Sequence, residues 1–293
     1  MERAQYGIGS DELTEQQFRT VSEIVYRFCG IHLKEGKESL VRARLMKRLR
    51  ALGIGSFETY LQLIEGPSGQ DELRQMIDVM TTNKTSFFRE SAHFDFLVEH
   101  VLPDFRKESL RFWSAACSTG EEPYTLAMIL LEHLPGCSTK DVKILATDIP
   151  RPVMARAAAG RYGEKSVLDI PASYLHKYFS VQQTSDGREY RIKPVVRSLV
   201  RFACLNLLEP WPMKGPFQVI FCRNVMIYFD RQTQERMVQR FYELIEPGGY
   251  LFVGHSEGLS GVRHGFSYVR PAVYRKNGGS AAGWSSGSTR RRS

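Results

Sequence analysis

The chain has 293 residues, 42% of them hydrophobic and 25% charged, enough for one large or two ordinary domains with a full apolar core. Five scattered cysteines (Cys29, Cys117, Cys137, Cys204, Cys222) without a Cys-x-x-Cys pair argue against a disulfide frame or zinc ribbon, and for buried thiols in a reducing compartment. A net charge of +8 favours an anionic partner, which charge alone leaves open among nucleic acid, an acidic protein surface and anionic lipid. No apolar run is long enough to span a membrane, and MERAQYGIGSDELTEQQF has no apolar signal core, so a cytoplasmic protein without membrane insertion is expected.

From Thr14 to about Thr82 every segment has helical spacing, broken at Gly30, Gly53, Gly55, Gly66 and Pro67, which predicts an all-α domain over residues 1–82. In its basic helix, KEGKESLVRARLMKRLRALG, the residues Val41, Leu45, Leu49 and Leu52 form a stripe that must pack inward. Lys37, Arg44, Lys47 and Arg48 then share an arc of one sign centred away from it. Next, TTNKTSFFRE clusters Asn83, Thr85 and Arg89 at the junction between the helical domain and the rest of the chain, and domain junctions are favoured ligand sites. Strands and helices then alternate (LRFWSAA, VKILATD, FQVIFC and YLFVGH are the strands), as in a parallel sheet covered on both faces. Between Phe179 and Cys204 the pattern changes to that of a small antiparallel insert with a Ser-Asp-Gly turn. Residues 277–293 form a Gly/Ser/Arg tail with the composition of a disordered segment.

Three strand ends carry the chemistry. In RFWSAACSTGEEPYTLAMILL, small residues join a strand to a helix whose first turn holds Glu121 and Glu122. Two acids there would repel a phosphate, so the ligand should be neutral or cationic and carry hydroxyls. Asp148, at the end of the next strand, is placed either to accept from a ribose diol or simply to cap the following helix. With the turn at Gly120 it favours an adenosine-type cofactor. Arg223 and Asn224 end the buried strand FQVIFC beside the same crevice, followed by Val225 and Ile227, expected in the core with Phe221. GHSEG, from Gly254 to Gly258, matches the nucleophile elbow of serine hydrolases, but no helix pattern and no aspartate come after it. The seven histidines show no metal spacing, and no metal is expected.

The ordered set TNKTSFFRE, WSAACSTGEEPYTLA, ATDIP, CLNLLEP, FCRNVMIYFD and LFVGHSEG resembles the chemotaxis receptor methyltransferases, the CheR family, over Thr14 to Arg275. The resemblance implies an α/β protein. A class I, Rossmann-like, AdoMet-dependent methyltransferase domain over 83–276 carries an antiparallel β-subdomain near 179–204 and comes after an all-α N-terminal domain. It implies S-adenosyl-L-methionine (AdoMet) as cofactor, S-adenosylhomocysteine as product, and methyl esterification of glutamate γ-carboxylates on the cytoplasmic helices of chemoreceptors. Carried over by motif, Asn83, Thr85, Arg89, Glu122, Asp148, Asn206, Leu207, Arg223 and Asn224 contact the cofactor, with Glu122 preferred to Glu121. Arg89 and Tyr228 lie nearest the chemistry, and the basic arc Lys37, Arg44, Lys47 and Arg48 faces the receptor. Some family members also dock on a receptor tail peptide through the β-subdomain, which SVQQTSDGREYRIKP leaves undecided. A monomer is expected. The competing readings are a methyltransferase for another acidic protein or for nucleic acid, and a non-catalytic AdoMet-binding module. Against an amine-directed nucleic-acid enzyme, Arg223-Asn224-Val225-Met226 stands where an Asn/Asp-Pro-Pro-aromatic turn would be.

Overall fold

A computed structural model of the chain describes residues 12–81, 84–149, 151–185 and 187–278. Asn83 and almost all of the tail expected from residue 277 onward lie outside them. Four helices come first: α1 (Glu15–Cys29), α2 (Glu38–Leu52), α3 (Phe57–Glu65) and α4 (Gln70–Met80). A reciprocal cap between Thr14 and Gln17 starts α1, and Gly30, at φ 70°, ends it. The four helices enclose a core of their own around Val21, Val25, Leu45, Tyr60 and Met76.

The basic arc of α2 does not form as expected. Arg48 stands three residues from Leu45, so at 100° per residue it flanks the apolar stripe instead of opposing it, and α4 packs on that flank. Its guanidinium makes a two-pronged pair with Glu72 (2.9 and 2.7 Å), whose carboxylate also accepts from the Tyr60 hydroxyl at 2.7 Å. Arg44 donates to the Met80 carbonyl at the end of α4. Lys37 and Lys47 remain exposed, together with Arg50. Leu52, expected in the stripe, is 42% exposed on the last turn.

The second part of the chain is built on a seven-stranded sheet: β1 (Ser109–Ala115), β2 (Asp141–Asp148), β6 (Val200–Cys204), β7 (Phe217–Cys222), β8 (Ile245–Val253), β9 (Phe266–Arg270) and β10 (Val273–Lys276). Their order is β6-β2-β1-β7-β8-β10-β9. The first five are parallel, while β10 runs antiparallel to both β8 and β9, so the sheet is mixed where an all-parallel one was expected. Counting its strands alone, the order is third, second, first, fourth, fifth, seventh, sixth, which is the class I methyltransferase arrangement. The chain reverses direction across the sheet between β1 and β7, where open α/β sheets form their ligand crevice. Helices α5 (Ala92–Phe96), α6 (Glu121–His133), α7 (Arg151–Ala159) and α10 (Arg231–Leu244) cover the two faces, with one apolar core on each.

A separate three-stranded sheet has the order β3-β5-β4, formed by β3 (Arg161–Gly163), β4 (Phe179–Thr184) and β5 (Gly187–Ile192), with α8 (Ala172–Tyr178) and α9 (Pro194–Arg197) beside it. It begins earlier than the insert read from the sequence, and Val200–Cys204, assigned to that insert, is the outer parallel strand of the large sheet. Two further expectations fail locally. Cys204 is exposed while the other four cysteines are buried, and Ile227 is 45% exposed, with Met226 filling the core in its place. Among the described residues no helix is long and apolar enough to cross a membrane.

The Arg48–Glu72–Tyr60 group generates a stability prediction. Arg48→Met should cost about 2 kcal/mol, because it leaves Glu72 half-satisfied at a buried helix contact, and lower Tm by roughly 4–8 °C. Lys47→Met, on the exposed side of the same helix, should leave thermal unfolding by circular dichroism unchanged.

Candidate active site

The crevice opens at the carboxyl ends of β1, β2 and β7 and holds about 990 Å³ between protein atoms, part of it open to solvent. Its floor is the turn after β1. Ala116 (φ 65°) and Ser118 (φ 48°) are left-handed there without being glycine, and Gly120 (φ 94°) starts α6. Gly120 has a second reason to lack a side chain, since a Cβ would lie 3.0 Å from that of Ala157 and 3.1 Å from the Tyr162 hydroxyl. Phe88, Glu90 and Asn224 are also left-handed, so five of the six such non-glycine residues among the described residues surround this one region. Strain of this kind costs about 1–3 kcal/mol per residue and gathers at functional sites.

The two glutamates of the first turn part company. Glu121 points away from the crevice into a buried niche, where Thr119 donates to its carboxylate and burial raises its pKa. Glu122 lines the crevice, accepting from the Ser114 hydroxyl at 2.7 Å and from Arg223 at 2.9 Å. Arg223 is almost wholly buried. It also pairs with Glu90 at 3.0 Å and donates to the Arg89 carbonyl at 2.5 Å. Two carboxylates on one guanidinium leave a single net negative charge at this wall.

Asp148 adds another. Its two oxygens each accept one backbone N–H, from Ser118 and from Ile149, both at 2.7 Å. Burial raises its pKa, and these two donors oppose the shift. Each oxygen keeps a lone pair for an incoming hydroxyl. Asn206 and Leu207, after β6, close the far side. The Asn206 side chain is already committed: its amide donates to the Phe28 carbonyl at 2.7 Å and its oxygen accepts from Leu208 N at 3.0 Å. It therefore builds the wall and fastens it to the helical domain, while buried Leu207 offers an apolar face.

Thr85, Arg89, Asn224 and Tyr228 line the mouth, and Arg89 is steadied by donating to the Lys84 carbonyl at 2.7 Å. The helical domain completes the enclosure with Cys29 and Ile31, and His32 N donates to the Tyr228 carbonyl at 2.9 Å. Thus every candidate cofactor or catalytic residue among the described residues lies on this one crevice, while Lys37, Arg44, Lys47 and Arg48 do not.

Two groups escaped sequence reasoning. Buried Glu257 accepts from the backbone N–H groups of Asn224 (2.6 Å), Gly254 (2.6 Å) and Ile227 (3.2 Å), so the acid in GHSEG organises the strand-end loop that carries Asn224 and Tyr228. Gly254 permits this approach, since a Cβ there would lie 2.6 Å from both the Asn224 amide and the Glu257 carboxylate. Glu90, His93 and His255 also converge, with their ligating atoms within 4.8 Å of one another. The signal for Glu257 was available, as an acid flanked by two glycines directly after a buried strand.

An inner wall with surplus negative charge, small backbone-lined turns and an apolar side suits a cationic ligand that carries hydroxyls, as AdoMet does, and repels a nucleotide phosphate. With the strand order, these features define a class I AdoMet-dependent methyltransferase. The model of the CheR methyltransferase SAM-binding domain matches residues 83–274, and that of the CheR methyltransferase all-alpha domain matches residues 16–81. The chain belongs to the CheR methyltransferase family. A probable chemotaxis protein methyltransferase of Rhizobium etli is 42% identical over 258 residues, covering 86% of this chain and 96% of its own. The chemotaxis protein methyltransferase of Escherichia coli is 40% identical over 263 residues, covering 89% and 91%, and that of Borreliella burgdorferi 39% over 274, covering 90% and 95%.

The raised pKa of Asp148 generates a prediction: a ligand whose hydroxyls bind this carboxylate should have pH-dependent affinity. Protonation removes an acceptor, so affinity should be full above the raised pKa and fall as pH drops through it, beginning above the ordinary carboxylate range. Calorimetric titration with S-adenosylhomocysteine should show this fall, and Asp148→Asn should bind weakly at every pH.

Proposed function

We propose that the protein transfers the methyl group of AdoMet to γ-carboxylates of glutamates on the cytoplasmic helices of chemoreceptors, giving methyl esters and S-adenosylhomocysteine and so adjusting receptor signalling. The observation that carries this reading is the lack of a general base in the crevice among the described residues. No histidine lines it, Glu122 and Asp148 are held by donors, and burial raises the Cys29 thiol to about 11 and pushes the Cys117 thiol well above its ordinary value. An amine or hydroxyl acceptor would have to lose a proton, whereas a carboxylate is ionised at neutral pH.

AdoMet supplies a methyl group already activated on a positively charged sulfur, so neither a Lewis acid nor a strong base is required. The chain's own task is to hold, align and exclude water. Asp148 takes the ribose hydroxyls, Glu122 meets the cationic end, and Leu207 and Ile149 cover the apolar part. Asn83, Thr85, Arg223 and Asn224 complete this set. At the mouth, the planar Arg89 guanidinium grips the acceptor carboxylate in a two-pronged fork, and the Tyr228 hydroxyl orients one of its oxygens. Residues 1–82 recognise the receptor and residues 83–276 perform the transfer, in a cytoplasmic monomer. The names of the Escherichia coli and Borreliella burgdorferi relatives agree with a role in chemotaxis.

Labelled methyl transfer to receptor-containing membranes, scored as base-labile methanol, tests the reading; label stable to mild base would overturn it, because methylated amines release no methanol. In the same assay Arg89→Lys should lose roughly 100-fold, about 2.7 kcal/mol, although it keeps the charge. Tyr228→Phe should lower turnover more than affinity for S-adenosylhomocysteine.

Recognition of acidic receptor helices is assigned to the exposed cations of α2, Lys47 and Arg50, with Lys37 at the opposite end of the same helix. Lys47→Glu with Arg50→Glu should depress receptor methylation mainly through substrate affinity and most strongly at low salt, with S-adenosylhomocysteine binding unchanged. Normal methylation at low ionic strength would return that face to the role of a solvated surface.

A further inference from the structure

Next to the crevice, but not lining it, Glu90 and His93, three residues apart at the start of α5, meet His255 from the loop after β8. His93 is only 2% exposed, and neither of its ring nitrogens has a hydrogen-bond partner. A buried imidazole left in that state is unusual, because a neutral ring offers both a donor and an acceptor. Glu90 Oε2 is 3.5 Å from His93 Nδ1. Two ligands of a tetrahedral zinc, with bonds of about 2.0–2.1 Å, stand roughly 3.4 Å apart, so this pair already has the required spacing. The His255 ring lies 4.7 Å from that of His93 and is exposed, free to turn toward the same point while water takes a fourth position.

We propose that Glu90, His93 and His255 form a binding site for a divalent transition metal, zinc above all, and that filling it inhibits methyl transfer. Two imidazoles and a carboxylate are a donor set suited to zinc and unsuited to magnesium or calcium. The inhibitory consequence rests on the cofactor crevice described above. Glu90 Oε2 is ion-paired with Arg223 at 3.0 Å and accepts from His255 N at 3.3 Å, and Oε1 accepts from Asn224 Nδ2 at 3.1 Å. A metal on Oε2 competes with the Arg223 guanidinium, which also holds Glu122 and the Arg89 carbonyl. The same competition keeps the metal affinity moderate, as a reversible regulator requires.

The test uses the full chain, freed of metal by dialysis against a chelator, and zinc chloride. Competition with a chromophoric chelator should show one zinc bound per chain, at least tenfold weaker in His255→Ala and in His255→Gln. Cobalt should give the visible absorption of a tetrahedral site in the parent and lose it in both variants. S-adenosylhomocysteine titration without metal checks that the variants are folded and tests the crevice separately. Zinc should inhibit methyl transfer by the parent and not by the variants, whose metal-free activity should match the parent's. Absence of saturable binding, or binding unchanged in both variants, as on the exposed Cys204 thiol, would overturn the site; binding without inhibition would overturn the regulatory role.

Discussion

The buried guanidinium of Arg223 is the point on which the crevice depends. It joins the end of β7 to the first turn of α6 through Glu122 and to the loop before α5 through Glu90 and the Arg89 carbonyl. An arginine this deeply buried is tolerated only with both partners present and well aligned, because desolvation of an unpaired charge costs several kcal/mol. The Phe94 ring lies beneath it, 5.7 Å from the guanidinium carbon, and Phe94 stacks in turn on Phe221 of β7. The guanidinium thus holds three chain segments in one arrangement, and with two carboxylates on one cation it leaves a negative wall for a cationic ligand.

Around this anchor the backbone is strained. Glycine would relieve it at Ala116, Ser118, Glu90 and Asn224, yet each keeps a side chain or a buried contact that the crevice uses. The strain is held by hydrogen bonds that reach across from neighbouring strands. Asp148 on β2 fixes Ser118, and Glu257 after β8 fixes Asn224. The raised pKa of Glu257 comes from the same burial that makes its backbone hydrogen bonds strong, since burial disfavours the ionised carboxylate while the amides favour it.

The helical domain is a structural wall of the site. The Phe28 carbonyl receives Asn206, His32 N reaches the Tyr228 carbonyl, and the Tyr26 hydroxyl donates to Asp230 at 2.5 Å. Contact is so close at Gly30 that a Cβ would lie 2.7 Å from Leu208. The surface that presents Lys47 and Arg50 is thereby carried on the same body as the mouth of the crevice, which suits a substrate that must touch both.

What the sequence determined by itself is what depends on neighbours in the chain. Apolar period and turn residues set the order of helices and strands, and the small-residue turn with Glu121 and Glu122, the acid at the end of β2 and the polar pair after β7 marked the crevice, because a strand's carboxyl end is defined locally. What the tertiary structure decided is what depends on neighbours in space. Helix phase shows that Arg44 and Arg48 lie off the apolar stripe, but only the packing of α4 turns one to Met80 and the other to Glu72. The pattern of Val200–Cys204 reads as a strand, but only pairing assigns it to the large sheet. Glu90 and His93 stand together at the start of α5, but His255 lies far along the chain, and the three meet only because the start of α5 and the end of β8 lie over the same buried arginine.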